Sequence, residues 1–402
     1  MTSKERVLKA LDHQEPDRVP VGEWGIDHDT VEKVIGHKTY WRARAEITKA
    51  LWAGKRDEVV ESYKKDLVEL IERLDQDLVP VHLVPPKGLA PTKVKQIDKE
   101  TWEDEEGRIF KYTSGNDAIL CIKSNPVCSF KSKEELREYF ESHLVKDFGF
   151  KIRNKNSSGY ELELEDESRL EFARFIIKKL GRDRFIFFRG ISEFEVLSSF
   201  IGGTPEDFFV FIALQPELAK EAFNLYTEVA IALAKIFIEE GVDAIMPGGD
   251  FSDSTGPMIS PEAIREIFLP GMKKLSNFVH KQGVRVMSHN CGNNWKIMNI
   301  LIEAGYEAYQ SIQSKTANMD LKRLKEEYGD RITLWGGINI ENLTRGTPEE
   351  NKEDVIYALK YAAPGGGFIL GTSNSVAYGS KYENYMRALD TLYKYGRYPI
   401  RL

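Results

Sequence analysis

The chain has 402 residues, of which 42% are hydrophobic, and its formal net charge at pH 7 is -7. A chain of this length suits one large barrel domain or two smaller domains, and it has enough apolar residues for a substantial core. The mildly acidic balance argues against nucleic acid or an anionic membrane surface as a bulk partner.

The cysteine count and the N-terminal sequence indicate a cytoplasmic protein. Three cysteines, Cys121, Cys128 and Cys291, are too few for a disulfide framework in a chain this long. The N-terminus is charged and lacks the apolar region of a secretory signal. No uninterrupted apolar run reaches the roughly 18 residues of a membrane span, so none is expected.

Short apolar runs alternate with longer helical patterns along most of the chain. The runs that predict strands lie at 18–25, 77–85, 184–190, 242–250, 284–292, 307–313, 331–339 and 366–374. Helical patterns fill 39–74, where Gly54 separates two helices, and then 260–282, 294–304, 318–328 and 348–362. Eight such alternations predict a (β/α)8 TIM barrel. A doubly wound open sheet is the alternative, disfavoured because no G-x-G-x-x-G follows the first strand.

Residues 86–183 interrupt this alternation. Turns and short alternating strands occupy 93–130, and helical patterns follow at 132–145 and 166–180. We therefore predict a single domain over 1–402, with 86–183 as an α+β cap inserted after strand two. Cys121 and Cys128 fall within this cap, where we expect them to pack rather than to act as a redox pair.

The active site of such a barrel lies at the carboxyl ends of the strands, which identifies its candidate residues. The candidates for catalysis are Asp250, Glu23 and Arg189. The candidates for substrate binding are Trp24, His82, Glu193, Gln310, Gln313, Trp335, Asn339 and Asn374.

Several of these residues also have a purely structural interpretation. Asp250 follows two glycines and could simply cap a turn. Arg189 could bind a substrate carboxylate or phosphate, or pair with Glu193 or Glu23. Ring side chains such as His82, Trp24 and Trp335 are common in the packing of barrel cores.

The stretch "SHNCGNNW" (288–295) holds the most specific pair, His289 and Cys291. Residues i and i+2 of a strand face the same side, so both would point to the barrel mouth if strand five reaches residue 291. Imidazole and thiolate are good zinc ligands. Two alternatives are a pair of ordinary buried residues, or a nucleophilic cysteine with His289 as its base. Among nearby groups, Asp250 is the first candidate for an additional zinc ligand.

Six segments together resemble the uroporphyrinogen decarboxylase superfamily. They are "KERVLKALDHQEPDRVPV", "GPMISPEAIREIFLPGMKKL", "SHNCGN", "LIEAGYEAYQSIQ", "DRITLWGGIN" and "RGTPEENKEDVIYALKYAAPGGGFIL". The resemblance is strongest over 1–25 and 240–375, and it implies a (β/α)8 barrel. One branch of the superfamily decarboxylates uroporphyrinogen without a cofactor. The other contains zinc-dependent methyltransferases that move a methyl group between a corrinoid protein and a small acceptor.

Two local comparisons favour the methyltransferase branch. The arginine-rich R-Q-A-G-R signature of the decarboxylases is absent after strand one, where this chain has "GEWGIDHD". The "HNC" sequence matches the H-x-C of the methyltransferases. Their second cysteine, at the end of strand eight, falls here on Asn374, so Asp250, Glu193 or Glu23 would have to complete a zinc site.

The resemblance therefore implies a methyltransferase that uses zinc and a corrinoid presented by a partner protein, with a thiol or another small molecule as acceptor. Two alternatives remain. The first is a lyase acting on a carboxylated substrate, with Arg189 and Asp250 in the reacting site. The second is a non-catalytic, corrinoid-associated binding barrel, consistent with an incomplete ligand set.

Overall fold

The structure is a computed structural model that describes residues 1–123, 130–156, 159–192 and 205–402. Its strands, numbered in chain order, are β1 (Leu78–Val81), β2 (Val94–Asp98), β3 (Thr101–Asp104), β4 (Ile109–Thr113), β5 (Ala118–Lys123), β6 (Phe150–Asn156), β7 (Gly159–Leu164), β8 (Phe185–Ser192), β9 (Ala244–Gly248), β10 (Arg285–His289), β11 (Ala308–Ile312), β12 (Thr333–Ile338) and β13 (Phe368–Thr372). Seven of these strands form one parallel sheet in the order β1-β8-β9-β10-β11-β12-β13.

The predicted first strand, 18–25, is not a regular strand, yet it joins the two edges of this sheet. Val21 forms a parallel bridge with Leu370 of β13. The carbonyl of Pro20 accepts a bond of 2.8 Å from the Leu370 amide, and the carbonyl of Val21 accepts one of 2.7 Å from Asp77, just before β1. Pro20 has no amide hydrogen to donate, which shortens the ladder of backbone hydrogen bonds in this segment. The barrel is thus closed by seven strands and one irregular segment, which confirms the predicted fold and corrects its first strand.

The barrel strands are apolar because both of their faces are covered. Every residue of β1, β9, β11 and β13 is buried, as parallel sheets beneath helices require. The side chains that fill the barrel interior are Leu78, Phe185, Phe187, Ala244, Met246, Met287, Ala308, Trp335 and Ile369. Val7, Ala10 and Leu11 of the helix Ser3–Leu11 pack against them. That helix begins with a capping box between Thr2 and Glu5.

Helices surround the sheet and connect its strands. The α-helices are Ser3–Leu11, His28–Ile35, Arg44–Trp52, Arg56–Leu74, Lys133–Tyr139, Val145–Asp147, Glu171–Leu180, Pro205–Leu214, Pro216–Glu240, Pro261–Ala263, Leu269–Lys281, Met298–Glu303, Leu321–Tyr328, Ile340–Thr344, Pro348–Tyr361 and Tyr382–Tyr395. The other helical elements of the described residues are two π-helical turns, Phe140–Leu144 and Ile264–Phe268, and a 3-10 turn, Glu167–Leu170. The two helices predicted on either side of Gly54 are present, and Gly54 itself has a φ of 72°.

The chain between β1 and β8 contains two small antiparallel sheets. Strands β2 to β5 form one of them in sequence order, and β6 pairs with β7 in the other. The hairpin of β6 and β7 lies in a region where no strands were predicted from the sequence. Cys121 is exposed on β5, so it does not pack as expected, and Cys128 lies outside the described residues. The grouping of 86–183 into one cap within a single domain stays a prediction.

None of the helices in the described part of the chain combines the length and the apolar character needed to cross a membrane.

Candidate metal and substrate site

A cavity of about 390 Å³ opens at the carboxyl ends of the barrel strands. Ligand pockets usually enclose roughly 300–1,000 Å³, so this one suits a small molecule. Its lining comprises Trp24, Arg42, Arg44, Arg189, Gly190, Gly248, Asp250, His289, Cys291, Asn374 and Ser375. The predicted site residues Trp24, Arg189, Asp250, His289, Cys291 and Asn374 thus meet in one place.

Three of these side chains form a group that could hold a metal ion. The ligand atoms of Asp250, His289 and Cys291 all lie within 4.8 Å of one another. The distance from His289 Nε2 to Cys291 Sγ is 3.4 Å, and that from His289 Nε2 to Asp250 Oδ1 is 3.8 Å. Among the described residues, no other group of three His, Cys, Asp or Glu side chains meets the same criterion.

The loop after β10 brings the three ligand atoms together. The strand ends at His289, two residues before Cys291, so the regular strand geometry expected for the pair does not apply. Instead the chain turns at Gly292, whose φ is 86°, and a Cβ there would lie 2.4 Å from the carbonyl oxygen of Ser252. The amide of Cys291 donates a bond of 2.8 Å to Asp250 Oδ1, which fixes the carboxylate beside the thiol.

Gln310 determines which nitrogen of His289 faces the cavity. The Gln310 side chain is fully buried, and its Nε2 donates to the backbone carbonyls of Asn374 at 2.8 Å and Thr372 at 3.4 Å. Its Oε1 therefore faces His289 Nδ1 and accepts a hydrogen bond from it. With the proton on Nδ1, Nε2 presents its lone pair to Cys291 and Asp250. Metal-binding histidines are oriented in this way.

The sulfur of Cys291 lies in a polar but enclosed environment. Asn374 Nδ2 is 2.9 Å from Sγ, and Ser311 Oγ is 3.5 Å away. Burial, followed by the nearby charge of Asp250, raises the pKa of the Cys291 thiol to about 12. Burial also lowers the pKa of His289. Without a cation the pair is therefore a neutral thiol and a neutral imidazole, which disfavours a thiolate nucleophile activated by His289 alone.

The residues present fit a zinc ion. Bonds of roughly 2.0–2.3 Å in a tetrahedron separate the ligand atoms by about 3.3–3.8 Å. The separations of His289 Nε2 from Cys291 Sγ and from Asp250 Oδ1, 3.4 and 3.8 Å, agree with that interval. One nitrogen, one sulfur and one oxygen ligand leave a fourth position open, as in catalytic zinc sites. His289, Cys291 and Asp250 would hold the ion.

The indole of Trp24 covers the face of His289, and the guanidinium of Arg189 lies against that indole. The ring of Trp24 is stacked on the imidazole, with centroids 4.3 Å apart and planes inclined by 13°. The guanidinium carbon of Arg189 lies 4.9 Å from the centroid of the Trp24 ring. This stack holds the imidazole plane in place and puts a positive charge beside the candidate metal group.

Two further arginines line the cavity, and neither was among the residues predicted from the sequence. Arg42 Nε donates to Asp27 Oδ1 at 2.6 Å, and Arg44 lies 3.4 Å from the same carboxylate. Asp27 is buried, so it holds both guanidiniums at the cavity wall. The only sequence signal was the short motif "WRAR" at 41–44, outside every predicted strand end. Arg42, Arg44 and Arg189 together could bind an anionic group.

Some of the predicted catalytic and substrate-binding residues lie behind the cavity wall. Glu23 is buried, and its Oε2 accepts from Thr372 Oγ1 at 2.6 Å. Burial raises the pKa of Glu23 to about 7, against the lowering effect of bonds from Thr372 and Tyr385. Trp335 fills the barrel core, where its Nε1 donates to the Gly22 carbonyl at 2.9 Å. Neither side chain lines the cavity.

The remaining candidates also have local partners. His82 lies among the rings of Trp41, Tyr63 and Phe172, where burial lowers its pKa to about 4. Gln313 Oε1 accepts from the Gly292 amide at 2.9 Å and so supports the turn after Cys291. Asn339 Nδ2 donates to Asp354 Oδ1 at 2.8 Å. Glu193 lies outside the described residues. The substrate-binding roles assigned to these residues stay predictions.

The fold and the cavity together define a TIM barrel with a candidate His-Cys-Asp metal group at its mouth. The family described as Uroporphyrinogen decarboxylase (URO-D) matches residues 168–395, more than half of the chain. The chain therefore belongs to the URO-D family, which confirms the predicted resemblance.

Two methyltransferases are among the proteins that this chain resembles. The methylcobamide:CoM methyltransferase MtaA of Methanosarcina barkeri is 29% identical over 156 residues, which are 38% of this chain and 44% of that protein. The chain thus matches less than half the length of this curated relative. A solved methyltransferase from Methanosarcina mazei covers 98% of this chain and 99% of its own, with a TM-score of 0.66 and 19% identity. At that identity, the second similarity supports the shared fold.

Proposed function

We propose that this protein is a zinc-dependent methyltransferase that moves a methyl group between a corrinoid protein and a thiol or another small acceptor. The observation that carries the proposal is the convergence of His289, Cys291 and Asp250 in a small cavity at the carboxyl ends of the strands. The similarity to methyltransferases supports it.

The side chains around the candidate metal group would bind the thiol end of the acceptor. When bound, zinc would lower the pKa of an acceptor thiol so that a thiolate is present at neutral pH. Gln310 keeps His289 in the tautomer that directs Nε2 into the cavity. Trp24 covers the imidazole face and keeps water from that side. Asp250 is held by the Cys291 amide with its carboxylate at the cavity edge.

The arginines define the charge that the acceptor should carry. Arg42, Arg44 and Arg189 lie on the wall of the same cavity as the candidate metal ligands. Arg42 and Arg44 share the buried carboxylate of Asp27. An acceptor with a thiol at one end and a carboxylate or a similar anion at the other would match this arrangement.

The methyl donor would reach the site on a separate protein. The cavity of about 390 Å³ accommodates a small acceptor, whereas a corrinoid ring is far larger. The corrinoid would therefore be presented at the barrel mouth by its carrier protein. The Methanosarcina barkeri relative is named for methylcobamide, a methylated corrinoid.

The test is demethylation of methylcobalamin by the purified, zinc-loaded protein, with mercaptoacetate or mercaptoethanol as acceptor. Methylcobalamin stands in for the carrier-bound corrinoid. We expect turnover with both thiols, a lower KM for the anionic one, and loss of activity in Cys291→Ser but not in the control Cys121→Ser, whose sulfur is exposed on β5. No turnover above that of Cys291→Ser with either thiol would contradict the proposal.

A carboxy-lyase is the second candidate, and the three arginines of the cavity are the observation that favours it. They could hold a carboxylated substrate although the decarboxylase signature is absent after strand one. The size of the cavity argues against a tetrapyrrole, so we expect no decarboxylation of uroporphyrinogen. Anaerobic incubation that yields coproporphyrinogen would replace the methyltransferase proposal with this one.

A further inference from the structure

Asn374 makes a contact that its predicted role in substrate binding does not explain. Asn374 follows β13. The methyltransferases that this sequence resembles have a second cysteine at this position. The Nδ2 of Asn374 lies 2.9 Å from the sulfur of Cys291. Its backbone carbonyl accepts a bond of 2.8 Å from Gln310, the side chain that also orients His289. Gln310 thus holds both the backbone of Asn374 and the imidazole of His289, while the side-chain amide of Asn374 contacts the sulfur.

The chemistry of the contact indicates which end of the amide faces the sulfur. A thiolate carries negative charge and only accepts hydrogen bonds, whereas an amide has a donor end and an acceptor end. Turning the carbonyl toward a thiolate would bring two acceptors together. The Nδ2 orientation is therefore the one that stabilises the deprotonated sulfur, and a hydrogen bond to an ionised group is among the stronger kinds.

We propose that Asn374 is a positioning residue that donates a hydrogen bond to the Cys291 thiolate of a metal site with a single sulfur ligand. The inference rests on the zinc site of the proposed function and adds the role of Asn374. A cysteine at this position would place a second negative sulfur on the metal. The neutral amide leaves one thiolate and draws charge from it, so the ion keeps more of its Lewis acidity.

The experiment is a titration of the full-length protein with Co²⁺, which reports both affinity and the sulfur-to-cobalt charge-transfer band. Asn374→Leu keeps the approximate size and shape of the side chain but removes the donor, and it adds no group that could bind the ion. Asn374→Ala removes the amide. The matched control is Asn299→Ala, at an exposed asparagine of the helix Met298–Glu303.

We expect both Asn374 variants to bind Co²⁺ about 10-fold to 100-fold more weakly, as for other partners of metal ligands. Their charge-transfer band should move to longer wavelength, because a sulfur without its hydrogen bond gives up charge more easily. Asn299→Ala should match wild type in both measurements. A structural role of Asn374 alone would not move the band.

Three results would overturn the inference. Tighter Co²⁺ binding by Asn374→Leu and Asn374→Ala than by wild type would mean that the amide opposes metal binding instead of supporting it. Unchanged affinity and band position in both Asn374 variants would mean that the amide only packs. If wild type itself binds no Co²⁺, both this inference and the zinc site of the proposed function fail, whereas the first two results reject the role of Asn374 alone.

Discussion

The two ends of the barrel use the same kinds of charged residue in opposite ways. At the amino ends of the strands, Arg6 and Arg18 both bind Asp77, with distances of 2.6 and 2.7 Å, and the Asp77 side chain is completely buried. At the carboxyl ends, arginines and an aspartate instead line an open cavity beside His289 and Cys291. The charged groups at the amino ends pair with one another. Those at the carboxyl ends face a space that a ligand can enter.

This difference separates stability from binding within one fold. Charge pairs at the amino ends of TIM-barrel strands stabilise the fold, while polar groups at the carboxyl ends are placed for chemistry. Asp77 also accepts a bond of 2.8 Å from the Val21 amide, so it ties the irregular closing segment to β1. Substitutions at the amino ends should therefore lower stability, and those at the carboxyl ends should change ligand and metal binding.

The largest effect is expected for Asp77→Asn at the amino ends of the strands. Removing one partner from a buried ion pair costs about 3–5 kcal/mol, because Arg6 and Arg18 are left without their shared carboxylate. Urea unfolding measures this free energy. The control Asp75→Asn, whose side chain is 57% exposed, should cost less than about 1 kcal/mol. Equal losses for the two variants would show that the buried network does not hold this end together.

A second prediction concerns Glu23, a buried carboxyl behind the cavity wall. Its pKa is raised from 4.5 to about 7 in the folded protein, so the folded state binds the proton more tightly than the unfolded state. Stability from this group is therefore present below pH 4.5 and is lost as the pH rises to about 7. The loss is on the order of 3 kcal/mol.

Glu23→Gln should remove this pH dependence while keeping an acceptor for Thr372. Unfolding free energies measured across that pH range should fall more steeply for wild type than for the variant. Glu326→Gln, at an exposed position, should behave like wild type. Parallel curves for wild type and Glu23→Gln would mean that the carboxyl is ionised without penalty in its buried site.

The third and smallest effect is expected for Gln310→Ala at the carboxyl ends of the strands. The change removes the acceptor that keeps the proton on His289 Nδ1, so zinc affinity should fall about 10-fold to 100-fold. Calorimetric zinc titration measures it, with Gln282→Ala at an exposed helix end as control. An unchanged zinc affinity in Gln310→Ala would show that the imidazole does not need this partner.

The sequence allowed the barrel and part of the site to be predicted because both follow from local patterns. Buried parallel strands are continuous apolar runs, and polar residues just after them lie at one end of the barrel. That reasoning found His289, Cys291, Asp250, Trp24 and Arg189, all of which line the cavity.

The arginines of the 41–44 segment could not be found in this way. Arg42 has a φ of 58°, in the left-handed region, and reaches the cavity through a loop held by the distant Asp27. No periodicity in the sequence reports such a turn. The same limit applies to Trp335 and Trp24. Both tryptophans were predicted at the ends of strands. Only the fold shows that Trp335 fills the core while Trp24 covers His289.

The most direct test of the proposed metal site is calorimetric zinc titration of wild type, His289→Ala and Cys291→Ser. Two matched controls are His37→Ala and Cys121→Ser, both at exposed side chains. We expect wild type and the controls to bind one zinc ion more than about 100-fold more tightly than the two site variants, since a lost ligand should cost more than a lost supporting partner. If wild type binds zinc no better than His289→Ala and Cys291→Ser, the pair is structural and the methyltransferase proposal loses its main support.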